Sequence, residues 1–382
     1  PFSPQRGEFD LLLELATHAL EREFSHLRLQ QPSASLATLF ALMYAEVCER
    51  HALLTSEWLR VGYCQGNMNS DNSAIGGYTL DYGPFGFMER FDPRYNSWVG
   101  GGIEYCWAAQ PNAAARNLAT LGDIFGEIVQ RSAKKEALDQ AEADAAIQIL
   151  QRGLKEHFVS RFEELHHEAC RGKLGLLKWD AQAQTLWDEL LRLMSKAPVD
   201  YTLLFRALSE DGGSTDSTTG RSTPSEHAEG SHAEGSHAEG SHAESSHAEG
   251  SHAESSHAES SLASTLAPIS SAALDGIEEW DEAHRAQWAE WLKRYRARLA
   301  VEGRPVEERQ AEMQSVNPKY ILRNWMAAEA YEAAARGDSS VAEQIYTVLQ
   351  KPYEAQGELV DERWGGLTPV WARDRRGLAT MS

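Results

Sequence analysis

Residues 65–87 read QGNMNSDNSAIGGYTLDYGPFGF and decide how the chain is interpreted, because they place polar side chains on both sides of a glycine pair. Residues 73–75 and 78–80 have the composition of short strands. Gly76 and Gly77 between them suit a two-residue hairpin turn that needs positive φ. The segment therefore predicts a short β-hairpin with polar ends.

The predicted hairpin brings oxygen ligands together. If Ile75 pairs with Tyr78, then Asn72 pairs with Asp81, and directly opposed Cβ atoms lie about 4.5–5.5 Å apart. An amide oxygen and a carboxylate at this separation can share a cation, and oxygen ligands favour Mg²⁺, Mn²⁺ or Ca²⁺ over zinc. Asp71 is left beside the pair as a carboxylate that can orient or deprotonate a hydroxyl. Asn, Asp and Gly also cluster in structural turns, so these residues alone leave a structural turn open.

The same block resembles known catalytic motifs. Asp81-Tyr82-Gly83 is similar to the Asp-Phe-Gly metal motif of protein kinases. The whole segment resembles that of the selenoprotein O family, the protein adenylyltransferases with a kinase-like fold, whose usual form is HGVMNTDN, a short hairpin and DYGPFGF. Further blocks agree in order between about residues 10 and 375, namely QP at 110–111, NL at 117–118, KLGL at 173–176, DYT at 200–202, WLKRYRARL at 291–299 and NPKYILRNW at 317–325.

The resemblance implies a fold and a function. The fold is α+β and predominantly α-helical, the C-terminal lobe of a kinase-like structure with a short catalytic hairpin. The implied function is transfer of AMP from ATP to Ser, Thr or Tyr hydroxyls of protein substrates, with Asp71 expected as base and with Asn72 and Asp81 expected to hold Mg²⁺ or Mn²⁺. The residues expected to support the turn after the last carboxylate are Gly83, Phe85 and Gly86. Eukaryotic relatives are largely mitochondrial, so we expect a mitochondrial location.

The chain departs from the family pattern in three places. Gln65 replaces the usual His, Asn67 replaces a hydrophobic residue, and RYNSWVGGGIEY at residues 94–105 stands where most members have a longer loop. Only residues 1–64 precede the catalytic segment, too few for the β-rich lobe that grips the nucleotide. We therefore expect the chain to be a fragment with little activity of its own. The alternatives are a catalytically inactive kinase-like scaffold and a conventional phosphotransferase.

Composition narrows the classes further. The chain has 382 residues, 42% of them hydrophobic, which suits one large domain or two. The net charge of -21 argues against nucleic acid and anionic membranes as partners. No stretch of 18 apolar residues is present, so membrane insertion is not expected. The four cysteines are Cys48, Cys64, Cys106 and Cys170; they are scattered and predicted to be buried or free thiols.

Two histidine-rich places suggest metal binding as an alternative. From Ser225 onward, a five-residue unit of the type SHAEG or SHAES is repeated, with a histidine at every fifth position from His227 to His257. A metal buffer is one interpretation; a slippage insertion in a tolerant surface loop is favoured. A second group is spaced like ligands along one helix but is predicted to be a surface feature; it consists of His166, His167 and Cys170.

The predicted domain organisation has three parts, with the repeat insertion in the middle. Residues 1–210 are predicted to form the lobe with the catalytic hairpin, 211–265 a disordered low-complexity insertion, and 266–382 the C-terminal helical part of the same lobe. Apolar periodicity after Ser35 predicts a helix as far as residue 60. Further helices are predicted at about residues 112–133, 134–170, 180–196, 277–301, 320–336 and 339–350. The tryptophans expected to pack in the core are Trp280, Trp288 and Trp291.

Overall fold

The computed structural model describes residues 8–212 and 261–373, which are mostly helical and include one small sheet. The predicted α+β class with a helical majority is confirmed for these residues. The histidine repeat lies outside them. The helices, in chain order, are α1 Phe9–Glu23, α2 Ser25–Gln30, α3 Leu36–Val61, α4 Gln110–Lys135, α5 Gln140–Arg152, α6 Arg161–Lys173, α7 Ala181–Lys196, α8 Tyr201–Glu210, α9 (residues 261–266), α10 Glu282–Glu302, α11 Val306–Val316, α12 Asn324–Ala335, α13 Ser340–Leu349, α14 Glu358–Trp364 and α15 Val370–Arg373.

Helix α3 confirms the prediction made from Ser35. The Ser35 hydroxyl accepts a hydrogen bond from the backbone N–H of Thr38 at 3.2 Å and so caps the first turn. The helix ends at Gly62, whose φ of +76° is the left-handed conformation that glycine adopts without strain. Helix α3 packs against α4, α5 and α6, and its end delivers the chain directly to the sheet.

The two-stranded sheet joins the two ends of the catalytic segment. Strand β1, Tyr63–Cys64, pairs antiparallel with strand β2, Gly86–Phe87. Residues 65–85 between the strands therefore form a loop whose two ends are held side by side.

The hairpin predicted inside this loop is wrong in register. Residues 73–79 form a single antiparallel bridge, between Ser73 and Thr79, in place of two paired strands. The turn is one residue longer than predicted, and a shift of one residue moves side chains to the other face of a ladder. Asn72 is consequently not the ladder partner of Asp81; it lies in a 3-10 turn.

Contacts with α3 account for the longer turn. Of the glycine pair only Gly77 has a positive φ, +74°, and its N–H donates to the carbonyl of Ala74 at 3.0 Å. The carbonyl of Gly76 accepts a hydrogen bond from Arg50 Nη1 at 3.2 Å. A Cβ on Gly77 would collide with the Arg50 side chain. A two-residue type I′ turn needs positive φ at both central positions, so packing against α3 selects a different turn.

The apolar core supports this arrangement. Within the described residues, one buried cluster surrounds α3 and its neighbours, a second joins α7, α8 and α10, and a third holds α12–α14 together. The second cluster contains Trp280, Trp288 and Trp291, so their predicted place in the core is confirmed.

The helical prediction for residues 134–170 is corrected in two places. Helix α4 continues to Lys135, and the chain then turns through Ala137, which has a φ of +53°. Asp139 caps α5 by accepting from the N–H of Glu142 at 2.9 Å. Residues Gly153–Ser160 are wound as a π-helix between α5 and α6. No helix in the described ranges has the length and apolar character needed to cross a membrane.

The structure also tests the predictions for the four cysteines and for the histidines of α6. All four cysteine thiols are free and buried, as predicted. The surface prediction for the histidine cluster is wrong, because Cys170 is only 1% exposed and lies 3.6 Å from His166 Nε2. His166 stacks on Phe162, and burial lowers its pKa to about 4. Only His167 is exposed, on the outer side of α6.

Candidate functional site

A buried pair of glutamines forms the base of the site. The backbone N–H of Gln65 donates to Gln110 Oε1 at 2.9 Å, and Gln110 Nε2 donates to the carbonyl of Tyr63 at 2.9 Å. The Tyr63 hydroxyl in turn donates to Gln65 Oε1 at 2.8 Å. Gln65 is 1% exposed and Gln110 is fully buried. Each side chain therefore satisfies backbone groups that burial would otherwise leave unpaired.

Asp71 and Asn72 lie on one 3-10 turn, Ser70–Asn72, above this base. The N–H of Asn72 donates to the carbonyl of Asn69 at 2.9 Å, and its Nδ2 group donates to the carbonyl of Asn67 at 3.3 Å. Asp71 is exposed. Because Asn72 uses its nitrogen to hold the loop, its Oδ1 atom is the one that remains for a ligand.

Asp81 is anchored to the other side of the same base. Its carbonyl accepts a hydrogen bond from Gln65 Nε2 at 2.7 Å, and its Oδ1 accepts from the N–H of Gly83 at 3.0 Å. The bond to Gly83 leaves Oδ2 as the remaining oxygen. The carboxylate is half-buried, and the following Tyr82 is exposed.

The two predicted ligands are thus joined through residues 65–67 and not through strand register. Asn72 is held by Asn67, Asp81 is held by Gln65, and a backbone hydrogen bond of 2.9 Å links Asn67 to Gln65. An amide oxygen and a carboxylate oxygen are hard donors suited to Mg²⁺ or Mn²⁺. No group of three or more His, Cys, Asp or Glu residues within 8–212 and 261–373 is placed to hold a metal. A cation here would complete its coordination with substrate oxygens or water.

Of the three residues expected to support the turn after Asp81, Phe85 and Gly86 make close contacts, and Gly83 is exposed. The Phe85 ring stacks on Tyr63, with centroids 5.8 Å apart, and meets Tyr82 edge-on at 5.5 Å. Gly86 is buried in β2, and a Cβ there would collide with the Tyr95 hydroxyl. Phe85 therefore ties the exposed end of the turn to the buried base.

Residues 92–107 form a loop that lies against the catalytic segment. The Tyr105 hydroxyl donates to Asn69 Oδ1 at 2.8 Å. Gly101 approaches so closely that a Cβ on it would lie 2.7 Å from the carbonyl oxygen of Gly66. These contacts hold the loop against the catalytic segment, close to the turn that contains Asp71.

Side chains of helix α3 form hydrogen bonds to the turn at residues 74–79. His51 Nε2 donates to the carbonyl of Ala74 at 2.9 Å, and Trp58 Nε1 donates to Thr79 Oγ1 at 3.0 Å. His51 is buried, and desolvation lowers its pKa below the usual value because the charged ring is disfavoured there. Burial therefore favours the neutral ring, and the bond to Ala74 places its hydrogen on Nε2.

The sequence reasoning missed the residues that build this base. In the sequence Gln65 is only a departure from the family pattern, and the contacts of Tyr105 and His51 have no local sequence signal. Gln110 and Asn117 did carry a signal, since both lie in matching family blocks. Asn117 Nδ2 donates to the carbonyl of Met68 at 2.9 Å and to Ser73 Oγ at 3.1 Å.

A cleft of about 440 Å³ lies elsewhere, between α2, α3 and α6. Its lining includes His26, Glu46, Arg50 and Arg161, and none of the three predicted site residues. Its size is typical of ligand sites, but the predicted ligand residues lie on the loop of residues 65–87 and not in this cleft. The candidate site is accordingly the open surface around Asp71.

Hard oxygen donors beside an exposed carboxylate define a class of site, one suited to group transfer with a divalent cation. Comparison with known proteins identifies the family. Residues 5–350 match the family described as Protein adenylyltransferase SelO. The chain belongs to this family.

Curated relatives agree over almost the whole chain. Protein nucleotidyltransferase YdiU of Rhodopirellula baltica is 32% identical over 384 residues, covering 99% of this chain and 60% of that protein. The YdiU protein of Nitrosospira multiformis is 31% identical over 382 residues, covering 98% and 59%. That of Myxococcus xanthus is 32% identical over 363 residues, covering 94% and 57%. The chain thus spans about 60% of the length of these relatives.

Proposed function

We propose that this chain carries the acceptor-activating and metal-binding part of a protein adenylyltransferase, which transfers AMP from ATP to a Ser, Thr or Tyr hydroxyl of a protein substrate. The observation that carries the proposal is the anchoring of Asn72 and Asp81 on one short buried segment beside the exposed Asp71. Membership of the SelO family supports the reaction class. We also propose that the helical body is the C-terminal lobe of a kinase-like fold.

Each residue has a defined task in this reaction. Asp71 accepts the proton of the acceptor hydroxyl, whose oxygen bonds to the α-phosphorus of ATP as the bond to the leaving pyrophosphate breaks. Asn72 Oδ1 and Asp81 Oδ2 would hold Mg²⁺ or Mn²⁺. When bound, this cation neutralises charge on the phosphate oxygens. Exposure of Asp71 suits its task, because a protein substrate must reach it from solvent.

Labelled ATP separates the proposal from its alternatives. The chain is incubated, both alone and within the longest polypeptide that its gene encodes, with Mg²⁺ or Mn²⁺ and ATP labelled at the α- or γ-phosphate. Label on protein from the α position supports adenylylation. Label from the γ position only indicates a phosphotransferase, and no label from either in the longest polypeptide indicates a scaffold. Omission of metal with added chelator tests the cation in the same assay.

Substitutions connect the activity to the site. Asp71→Asn and Asp81→Asn are expected to lower α-label transfer by at least about 100-fold, in the range lost when general-base catalysis is removed. Asp144→Asn is the matched control, because Asp144 is exposed on α5 away from the loop. Full transfer in both site variants would show that the transfer does not depend on Asp71 and Asp81. Equal loss in the control would point to a general effect on folding.

A further inference from the structure

The loop of residues 92–107 presents an apolar surface next to the catalytic segment. Val99 and Ile103 are each 67% exposed. A single exposed aliphatic residue is ordinary on a protein surface; here two lie on one short loop, four residues apart. Between them, Gly102 has a φ of +54°, and a Cβ at this position would meet no atom within 4 Å. The surface around the two side chains is therefore open.

This open surface is held at a fixed place relative to Asp71. Tyr105, two residues after Ile103, is bonded to Asn69, two residues before Asp71. Ser97, two residues before Val99, donates its hydroxyl to the carbonyl of Pro84. Both sides of the loop are therefore attached to the segment that contains Asp71 and Asp81.

The length of an extended substrate bound at Asp71 determines which of its residues the loop can contact. An acceptor hydroxyl must come within about 2.6–3.2 Å of Asp71 for its proton to be taken. A substrate in extended conformation advances about 3.3–3.6 Å per residue. Because Tyr105 bonds to Asn69, two residues before Asp71, a substrate segment that runs towards this loop would meet Val99 or Ile103 within a few residues of the modified hydroxyl.

Charge further restricts the segment that can bind. Asp71 and Glu104 are exposed, and the Glu104 side chain is 70% exposed with Arg116 3.4 Å away. The whole chain has a net charge of -21. An acidic residue beside the acceptor hydroxyl would be repelled at this surface, whereas an uncharged or basic residue would not.

We propose that the loop of residues 92–107 binds the protein substrate beside the modified hydroxyl and selects an extended segment with a large aliphatic residue, and no acidic residue, within about three positions of it. The inference rests on the proposed function and names its substrate class. Val99 and Ile103 determine specificity in this proposal; they take no part in the chemical step.

Peptides test the preference directly. Three peptides share one acceptor serine and carry leucine, serine or glutamate at the neighbouring positions, and transfer of α-label is measured as kcat/KM with the longest polypeptide of the gene. We expect the leucine peptide to be preferred over the serine peptide by about tenfold, the size expected for partial burial of one aliphatic side chain. The glutamate peptide should be the poorest acceptor, and its disadvantage should shrink in high salt.

Variants assign the preference to the loop. Val99→Ser with Ile103→Ser should raise KM for the leucine peptide to that of the serine peptide. Leu359→Ser is the control, because Leu359 is 83% exposed on α14. Glu104→Gln should reduce the disadvantage of the glutamate peptide. An undiminished leucine preference in the double variant would overturn the inference, as would equal kcat/KM for all three peptides in the unaltered protein.

Binding separates this inference from the proposed function. Fluorescence polarisation of the same labelled peptides, without ATP, reports peptide binding independently of the transfer step. Tighter binding of the leucine peptide, lost in the double variant, supports the inference even where no α-label is transferred and adenylylation fails. Transfer of α-label with equal binding of all peptides overturns the inference and leaves adenylylation standing. Thermal melting of each variant shows whether it is folded.

Discussion

The buried base of the site and its exposed tip are made of neighbouring residues with opposite properties. The base consists of Tyr63, Gln65, Gly66 and Gln110, all buried and held by hydrogen bonds or close backbone contact. The tip is residues 70–72 together with residues 81–83, which are exposed or half-buried. The difference separates two tasks, since the base fixes the loop and the tip keeps the groups that must exchange protons and ligands in contact with solvent.

Physical reasons require this separation. A buried polar group that loses its partner costs about 1–3 kcal/mol, so the base tolerates little change. A carboxylate at the solvent edge contributes little to folding and remains available to a cation or a hydroxyl. Substitutions in the base should therefore reduce stability, and substitutions in the tip should reduce function at constant stability.

The largest effect is expected from Gly66→Ala in the base. Gly66 has a φ of +75°, and a Cβ there would lie 2.7 Å from Ser97 Oγ and collide with the Pro84 carbonyl. We expect the free energy of unfolding to fall by more than about 3 kcal/mol, from backbone strain and overpacking together. Denaturant unfolding measures it. Gly303→Ala is the control, with a φ of +64° and open space, and should lose about 1–2 kcal/mol. Equal losses would contradict the close approach.

A smaller loss is expected from Gln110→Ala. This change removes the acceptor of the Gln65 N–H and the donor to the Tyr63 carbonyl, leaving two buried backbone groups unpaired. The expected loss of unfolding free energy is about 2–3 kcal/mol. Gln140→Ala, an exposed glutamine bonded to Asp144, should stay within about 0.5 kcal/mol. A Gln110 variant as stable as the control would show that the base is not a closed network.

The same contrast explains what the sequence could predict. Helix α3 was found from its Ser35 cap and apolar periodicity, because both signals are local. The site residues are predictions from the family motif. The predicted pairing of Asn72 with Asp81 across the hairpin was wrong, since the arrangement depends on Gln65 and on Arg50 of α3 holding the Gly76 turn. These contacts join residues distant in sequence, and a glutamine in sequence gives no sign of whether it is buried.

Acid should lower the stability of the fold through His51. Its folded-state pKa is lowered by burial, so the unfolded chain binds more protons as pH falls below about 6.5, the usual value for histidine. The contribution of the neutral ring is fully present above that pH and is lost as pH falls towards the folded-state pKa.

His51→Gln tests this, because glutamine keeps an N–H donor for the Ala74 carbonyl without titrating. Unfolding free energies measured between pH 7.5 and 5, spanning the ordinary histidine range of about 6.5, should decline less steeply in the variant. Part of the decline should remain, since burial also lowers the pKa of His166 and His284. His18→Gln, at an exposed site on α1, should keep the full slope. An unchanged slope in the His51 variant would show that this ring does not titrate with folding.

The smallest change in stability is expected at the tip itself. Asp71→Asn preserves size and removes a charge that is exposed, so the free energy of unfolding should change by less than about 0.5 kcal/mol while α-label transfer is lost. Thermal melting beside the labelled-ATP assay measures both. A loss of stability as large as that of Gln110→Ala would mean that Asp71 helps to hold the loop, and the division between a structural base and a chemical tip would then fail at the residue on which the proposed reaction depends most.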